Sequence, residues 1–201
     1  MFIVFEWVDW AWKDTQLNKT FEYLWRKNKY LQIWKTREPT SNTESWKKIA
    51  YKLKNVWFKN AKEALDLYVQ DRKEQTIVRK EILKHSIILS SRFDYSTYAY
   101  QWVSGFSFEE IYKAHDDYKD ILEPDLTFIL YLDKKNIEKR LKKRWWEKEF
   151  FENIDFLEKV NQKYIQTAQK LKDRRKIYLI DANGDIEQTF EKIKNVLNKY
   201  F

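Results

Sequence analysis

The 201-residue chain contains no cysteine, which excludes a disulfide framework, a thiolate nucleophile and a cysteine zinc cluster. Its two histidines, His85 and His115, lie too far apart in sequence to form a metal-ligand spacing. No apolar run approaches the ~20 residues that a membrane-spanning helix needs. The opening MFIVFEW has neither a basic leading segment nor a small-residue cleavage site, so no signal peptide and a cytoplasmic location are expected. There is no repeat, no low-complexity tract and no Pro/Ser linker. The sharpest shortage is glycine. Average usage of ~7% would place about fourteen in a chain of this length. This chain has two, Gly105 and Gly184, and ten tryptophans. An α/β protein needs glycine where φ is positive or where backbone must approach a ligand, so the shortage calls for an explanation.

What is present is charge of both signs. Thirty-nine Lys and Arg face thirty-one Asp and Glu, a formal +8, mixed along the whole length. That pattern suits a protein that handles small anions such as phosphates better than one carrying a single basic block. The basic, aromatic composition keeps a nucleic-acid binder as an alternative, ranked low because many aromatics fall in strands or motifs. The length suits a single domain, residues 1–201, with a full core.

Five short, mostly continuous apolar runs read as buried parallel strands: Phe2–Glu6, Leu31–Thr36, Ser86–Ser91, Thr127–Leu132 and Lys176–Asp181. Helical patterns separate them, at Lys13–Lys27, Asn60–Leu83, Phe108–Ala114, Lys134–Lys143, Glu149–Lys172 and Asp185–Lys199. In the long second pattern Ala61, Leu65, Tyr68, Ile77, Val78 and Ile82 are the apolar positions. Alternating strands and helices imply βαβ crossovers, hence an α/β fold on a five-stranded parallel sheet flanked by helices. The charged RLKKRWWEKE stretch falls between two helices and is expected to be a short mobile lid, about 140–152.

The segment FEWVDWAWKDTQ, residues 5–16, follows the first strand. Strand, loop, Lys13 and helix make the layout of a phosphate-binding loop, here 6–15. Free N–H groups and the positive dipole end of the helix would meet the phosphate, and lysine adds a mobile charge. The formal pattern fails at its two glycines, which are Trp7 and Trp12, and at its final Ser/Thr, which is Asp14. Further along, Thr36–Pro39 (TREP), Gln70-Asp71-Arg72 and Ser91–Gln101 (SRFDYSTYAYQ) each put an arginine at the carboxyl end of a strand or on a helix facing it. Ligands of open α/β sheets bind in that crevice. Converging arginines suit a phosphate dianion. A lone arginine is more often a surface ion pair, but three such motifs in this order weaken that account.

Taken together, the motifs resemble thymidylate kinase, a P-loop NTPase family with a three-layer fold. FEWVDWAWKDTQ is similar to the family's FEGxDGAGKTTQ, TREPTSNTESWKKI to TREPGGTxxGxxI, and SRFDYSTYAYQW to DRYxxSxxAYQG. YVQDR, EPDLTFILYLD, RLKKRWWEKEFFEN and YLIDANGDIEQTFEKI resemble further family segments, in order along the whole chain. The resemblance implies phosphoryl transfer from ATP to thymidine 5′-monophosphate (dTMP), with Mg²⁺. It implies that Lys13 bridges the ATP phosphates, and that Asp9 binds the sugar hydroxyl and helps place the metal together with Glu38. Arg92 would hold the acceptor phosphate, Arg72 the thymine carbonyl, and Tyr68 would stack on the base. Thr97, Tyr100, Gln101, Ser96, Pro39 and Arg37 would complete the acceptor pocket. The phosphate loop, Trp7, Val8, Asp9, Trp10, Ala11, Trp12, Lys13, Asp14 and Thr15, would take ATP. Arg140, Lys143 and Arg144 would close over it, Arg144 adding charge to the transition state, and Asn183 would lie near the adenine. The resemblance further implies nucleotides as small-molecule partners, no nucleic acid or membrane, and a homodimer through helices beside Asn60–Leu83. The alternatives are a catalytically dead paralogue and a kinase for another nucleoside monophosphate.

Three departures stand out. Ser91 replaces the aspartate of D-R-Y, Phe93 replaces its tyrosine, and Asp14 replaces a threonine. Tryptophan occupies family glycine positions at Trp7, Trp10, Trp12, Trp46 and Trp102, and stands at Trp145 and Trp146, where glycine is common in the lid. Drift would not choose one residue type so often. A UGA codon read as glycine at source, and translated here as tryptophan, accounts for it. Trp34 keeps its tryptophan reading, and Trp25 and Trp57 fall to neither side.

Overall fold

The structure, a computed structural model, describes residues 1–7, 13–118, 120–142 and 154–201, apart from the side chains of Lys13, Leu141 and Lys142. Five strands form one sheet: β1 (Phe2–Trp7), β2 (Ile33–Arg37), β3 (Ile87–Ser91), β4 (Leu126–Tyr131) and β5 (Ile177–Asp181), in the order β2-β3-β1-β4-β5. Every pairing is parallel. The three inner strands are buried along nearly their whole length, while β2 and β5 at the edges are partly exposed. This explains the sequence contrast between the continuous apolar FIVFEW or LTFILY and the mixed IWKTR at an edge.

Helices α1 (Lys13–Lys27), α2 (Glu44–Tyr51), α3 (Ala61–Leu83), α4 (Asp94–Val103), α5 (Phe108–Asp116), α6 (Lys134–Lys142), α7 (Ile154–Leu171) and α8 (Ile186–Leu197) flank the sheet. Alternate residues of β1 divide between its faces. Phe2 and Val4 join Ile88 and Phe93 in one cluster, packed by Ile82 and Leu83. Ile3, Phe5 and Trp7 join the main core with Leu17 and Leu24 of α1. Each such buried side chain stabilises the fold by about 1.5–3 kcal/mol.

Sequence and structure differ in three instructive places. Strand β1 runs one residue further than expected, to Trp7, which pairs with Leu130 and is fully buried. Helix α4 lies inside the SRFDYSTYAYQ motif and has no side-chain cap of its own at Phe93. Its first amides are instead satisfied by Glu6 of β1, which accepts from Phe93 N at 2.7 Å and Ser96 N at 3.3 Å. A cap supplied from 87 residues away leaves no local sequence signal. On α3, Ile77 and Val78, two apolar positions of the sequence pattern, are 72% and 48% exposed. The core-facing stripe is Leu65, Val69, Arg72, Thr76 and Arg79, because two buried arginines occupy positions that apolar residues normally take.

At the two glycines a side chain would be strained in one case and would displace the end of Gln188 in the other. Gly105 has φ +107°, and a Cβ on Gly184 would meet Gln188 Oε1 at 2.3 Å. Among the other residues, Trp57 and Arg92 carry positive φ, 62° and 71°.

Candidate active site

The carboxyl ends of β2 and β3 open onto a cavity of about 560 Å³. Arg37, Glu38 and Pro39 reach it from the end of β2, and Arg92 from the end of β3. Tyr68 and Arg72 of α3 and Ser96, Thr97, Tyr100 and Gln101 of α4 complete that side. Every described residue assigned to the acceptor side by resemblance therefore lines one cavity. Its outer wall was not foreseen: Leu53, Trp57 and Phe58 come from a π-helical turn, Lys52–Val56, and the loop before α3. Phe58 packs against Tyr68 with ring centroids 6.1 Å apart.

Arg72 is 2% exposed and held by four partners. Its Nε and Nη2 donate to Glu38 Oε2 at 2.9 and 2.7 Å. Nη2 also donates to Phe93 O at 3.0 Å and Thr97 Oγ1 at 3.2 Å. Nη1 lies 2.8 Å from His115 Nε2. The same imidazole places Nδ1 2.8 Å from Ile111 O, so Nδ1 carries the proton and Nε2 accepts from the arginine. Burial, with Arg72 next to it, pushes His115 down to about 4, which keeps the ring neutral. The remaining oxygen of Glu38 takes Arg79 Nη1 at 2.5 Å. Arg79 in turn lies between the rings of Phe2 and Phe93, 5.8 and 5.3 Å from their centroids.

Arg92 adopts the left-handed region at φ +71°, which is costly for a side-chain-bearing residue. The surrounding bonds over-determine it. Arg92 N donates to Phe5 O at 2.9 Å, Ser90 Oγ donates to Arg92 O at 2.7 Å, and the next amide is held by Glu6. Its guanidinium lies 5.5 Å from the ring centre of Tyr100. Glu6 also accepts from Ser96 Oγ at 2.6 Å and Tyr164 Oη at 3.3 Å. Burial raises Glu6 to about 7, with the Ser96 hydrogen bond and the Arg92 charge acting against that rise. Gln101, 6% exposed, has an Oε1 with no hydrogen-bond partner among the described residues, an acceptor at the cavity wall that a ligand donor would satisfy.

Trp7 lies in the core, and Asp14 is exposed in the first turn of α1, with Thr15 beside it half-buried. Ser91 Oγ donates to Asp14 Oδ1 at 3.2 Å. Arg140 of α6 reaches the β5–α8 turn, where Nη2 donates to Ala182 O at 2.6 Å and Gly184 O at 3.3 Å. Asn183 sits in that turn and accepts from Asp133 N at 2.9 Å. Val8, Asp9, Trp10, Ala11, Trp12, Lys143 and Arg144 lie outside the described residues, as do the Lys13 side chain and most of the expected lid.

Sequence reasoning missed Glu6, His115 and Arg79. His115 did leave a signal: with Phe108 and Ile111 it falls at i, i+3 and i+7 on the buried stripe of α5. Arg79 likewise repeats Arg72 seven residues on, along one face of α3. Asp71, between Gln70 and Arg72 in the motif, serves structure instead: it accepts from Thr40 N at 3.2 Å, Thr40 Oγ1 at 3.0 Å and Thr43 Oγ1, and so pins the loop after β2.

A five-stranded parallel sheet in this order, flanked by helices and with the crevice at its carboxyl edge, defines a P-loop NTPase fold. A family model described as thymidylate kinase matches residues 5–193, and the chain belongs to that family. A thymidylate kinase of Thermosipho africanus is 29% identical over 203 residues, covering 100% of this chain and 98% of that protein. A probable thymidylate kinase of Methanocaldococcus jannaschii is 36% identical over 173 residues, 85% of this chain and 82% of that protein. The crystal structure of the Ehrlichia chaffeensis thymidylate kinase superposes with a TM-score of 0.74 at 22% identity, covering 98% of both chains, a likeness of fold.

Proposed function

We propose that this chain transfers a phosphoryl group from ATP to dTMP, giving the diphosphate. The observation that carries the reading is the Arg72 cluster. A guanidinium fixed by Glu38, Thr97, Phe93 O and His115 lines the same cavity as Arg92 and Arg37. A rigid arginine at one part of the cavity suits a pyrimidine carbonyl, and the arginines from the strand ends suit a phosphate dianion. Tyr68 offers a ring for the base, and Ser96, Thr97, Tyr100, Gln101 and Pro39 line the remainder. Phosphoryl transfer asks mainly for positioning and charge neutralisation. Arg92, held in a strained but over-determined turn, positions the acceptor phosphate. Lys13 and the loop 7–15 take the donor phosphates, with Asp9 on the acceptor sugar. Arg140 and Asn183 stand at the adenine end, and Lys143 with Arg144 close the donor side.

Magnesium fits this reading in its usual mode. Among the described residues no three His, Cys, Asp or Glu gather as a cage, and Mg²⁺ is ordinarily held by one or two carboxylates plus substrate phosphates. When bound it would neutralise charge on the phosphate oxygens. Asp9 keeps its assignment to the metal. Glu38 does not, because both its oxygens are taken by Arg72 and Arg79. A homodimer through helices beside α3, as the family resemblance implies, belongs to the same proposal. No described helix is long and apolar enough to cross a membrane. A single cytoplasmic domain over 1–201, without nucleic acid, completes the proposal.

The tryptophans at 7, 10, 12, 46, 102, 145 and 146 are read as UGA-encoded glycines. Trp57 supports this and joins them, since φ +62° is a conformation that favours glycine. Turnover of dTMP, deoxyuridylate and deoxyguanylate is to be compared for the chain as written and for one with glycine at 7, 10 and 12. Preferential dTMP turnover by the glycine form supports the whole reading. Equal activity of both forms refutes the codon proposal, UGG codons at 7, 10 and 12 end it, and preference for another acceptor refutes the substrate.

A further inference from the structure

Glu6 is a fully buried carboxyl to which the transfer reaction gives no role, and its contacts are sorted by kind. Oε1 takes two backbone amides of the turn that follows β3, Phe93 N at 2.7 Å and Ser96 N at 3.3 Å. Oε2 takes two hydroxyls, Ser96 Oγ at 2.6 Å and Tyr164 Oη at 3.3 Å, which lie 2.8 Å from each other. An amide N–H only donates, whereas a hydroxyl donates or accepts as its partner requires. A proton on Oε2 therefore reverses one hydroxyl and leaves both amide bonds in place. Among the described residues, Arg92 of the same turn and Arg72 of α3 attract the ionised carboxyl, and Asp94 of α4 opposes it. Tyr95 of α4 and Tyr164 of α7 face it as neutral phenols. Burial outweighs the attraction, so the acid is poised near neutral pH.

We propose that Glu6 is a positioning residue that adjusts the charge of the acceptor-phosphate site: it holds the Arg92 turn in either protonation state, and its Oε2 takes a proton from water when a phosphate dianion binds against Arg92. The inference rests on the reading of this cavity as the acceptor site, given above. With Glu6 ionised, Arg92 already faces one carboxylate. A dianion beside the same guanidinium brings like charges together at a fully buried group, which disfavours the ionised carboxyl. The proton removes that repulsion and leaves the charge of Arg92 to the phosphate. Other groups around the cavity are less suited to this. Glu38 lies between Arg72 and Arg79. Asp94 stays below the usual carboxylate range, because Arg175 at 2.5 Å outweighs its burial. His115 is held neutral by burial, and its Nε2 is taken by Arg72. Asp71 is the competitor, since burial raises it too, but its bonds go to Thr40 and Thr43 of the loop after β2 and not to the Arg92 turn.

The test compares the parent with Glu6→Gln, which keeps an oxygen for the two amides and an amide nitrogen for the two hydroxyls but carries no charge. Calorimetry of dTMP binding at about pH 7.5, in buffers of different ionisation enthalpy, counts the protons taken up. Thymidine, which lacks the phosphate, is the control, and thermal melting reports folding. The parent is expected to take up a fraction of a proton with dTMP and none with thymidine, and Glu6→Gln none with either. Relative to Glu6→Gln, the dTMP affinity of the parent should fall by about three- to tenfold between about pH 6.5 and 8.5, a difference in which the phosphate's own ionisation cancels. Equal uptake in both chains, which puts the proton on another group such as Asp71, overturns the proposal, and so does equal uptake with thymidine and dTMP. Should Glu6→Gln fail to fold, infrared difference spectra of the parent, labelled with carboxyl-¹³C glutamate, decide the matter. A protonated-carboxyl band that appears with dTMP supports the proposal, and no such band overturns it. If dTMP binds and is phosphorylated while Glu6→Gln takes up as many protons as the parent, this inference alone falls. If no nucleoside monophosphate binds the cavity, the acceptor reading falls and takes this inference with it.

Discussion

Replacing Glu38 by glutamine removes the one carboxylate that two buried guanidiniums share. The side chain is 6% exposed and its partners are 2% and 3% exposed, so water cannot take over. Breaking a buried pair from one side costs about 3–5 kcal/mol, because a charge stays behind unpaired. The lower end applies here, since Asp94 and Glu6 also act on Arg72. A loss of about 3 kcal/mol corresponds to roughly 6–12 °C in melting temperature at this chain length. Arg79→Met is expected to cost much less, about 1–2 kcal/mol. In that variant Glu38 keeps Arg72, and the Nε and Nη2 of Arg79, which find no hydrogen-bond partner among the described residues, are no longer buried. Urea denaturation of the two variants beside the parent checks both numbers. A Glu38→Gln loss under about 1 kcal/mol, or equal losses in the two variants, would show that the shared carboxylate does not organise the cavity.

Glu6 and His115 titrate in opposite senses. Glu6 is raised from 4.5 to about 7, so its contribution is fully present below pH 4.5 and is lost as pH rises through 7. His115 is lowered from 6.5 to about 4, so its contribution is present above pH 6.5 and is lost as pH falls through 4. Each amounts to about 3 kcal/mol, and between about pH 4.5 and 6.5 the two slopes cancel in the parent. Glu6→Gln should then lose stability on acidification in that window and His115→Gln should gain it; parallel slopes in the two variants would contradict the assignment. Trp57→Gly should relieve about 1–2 kcal/mol of left-handed strain and so match or exceed the parent in urea, whereas Trp57→Ala should not. Arg175→Leu should destabilise by about 3 kcal/mol, as it leaves the buried Asp94, now bonded at 2.5 Å, without its cation.

The strands were legible because parallel β1, β3 and β4 are buried on both faces and write themselves as continuous apolar runs. Helices α1, α3 and α8 were legible from periodicity, with Asn60 and Asp185 as the N-caps where α3 and α8 begin. Helix α4 was not, because its cap arrives from Glu6 across the sheet, and neither was the inner stripe of α3, because it buries Arg72 and Arg79. The acceptor cavity was legible through motif order, with Arg37, Glu38 and Pro39 at the end of β2 and Arg92 at the end of β3. Its support, Glu6 beneath Arg92 and His115 behind Arg72, was hidden because neither contact is local: His115 lies 43 residues from the arginine it meets. The Asp14–Ser91 contact shows the reverse case, two oddities of sequence that became one feature once the fold placed them 3.2 Å apart.

The most direct measurement follows the phosphorus atom. With γ-labelled ATP, Mg²⁺ and dTMP, the form with glycine at 7, 10 and 12 should place the label in thymidine diphosphate, in step with ADP release. Label that appears only as free phosphate, or no transfer to dTMP while another nucleoside monophosphate accepts it, would contradict the account.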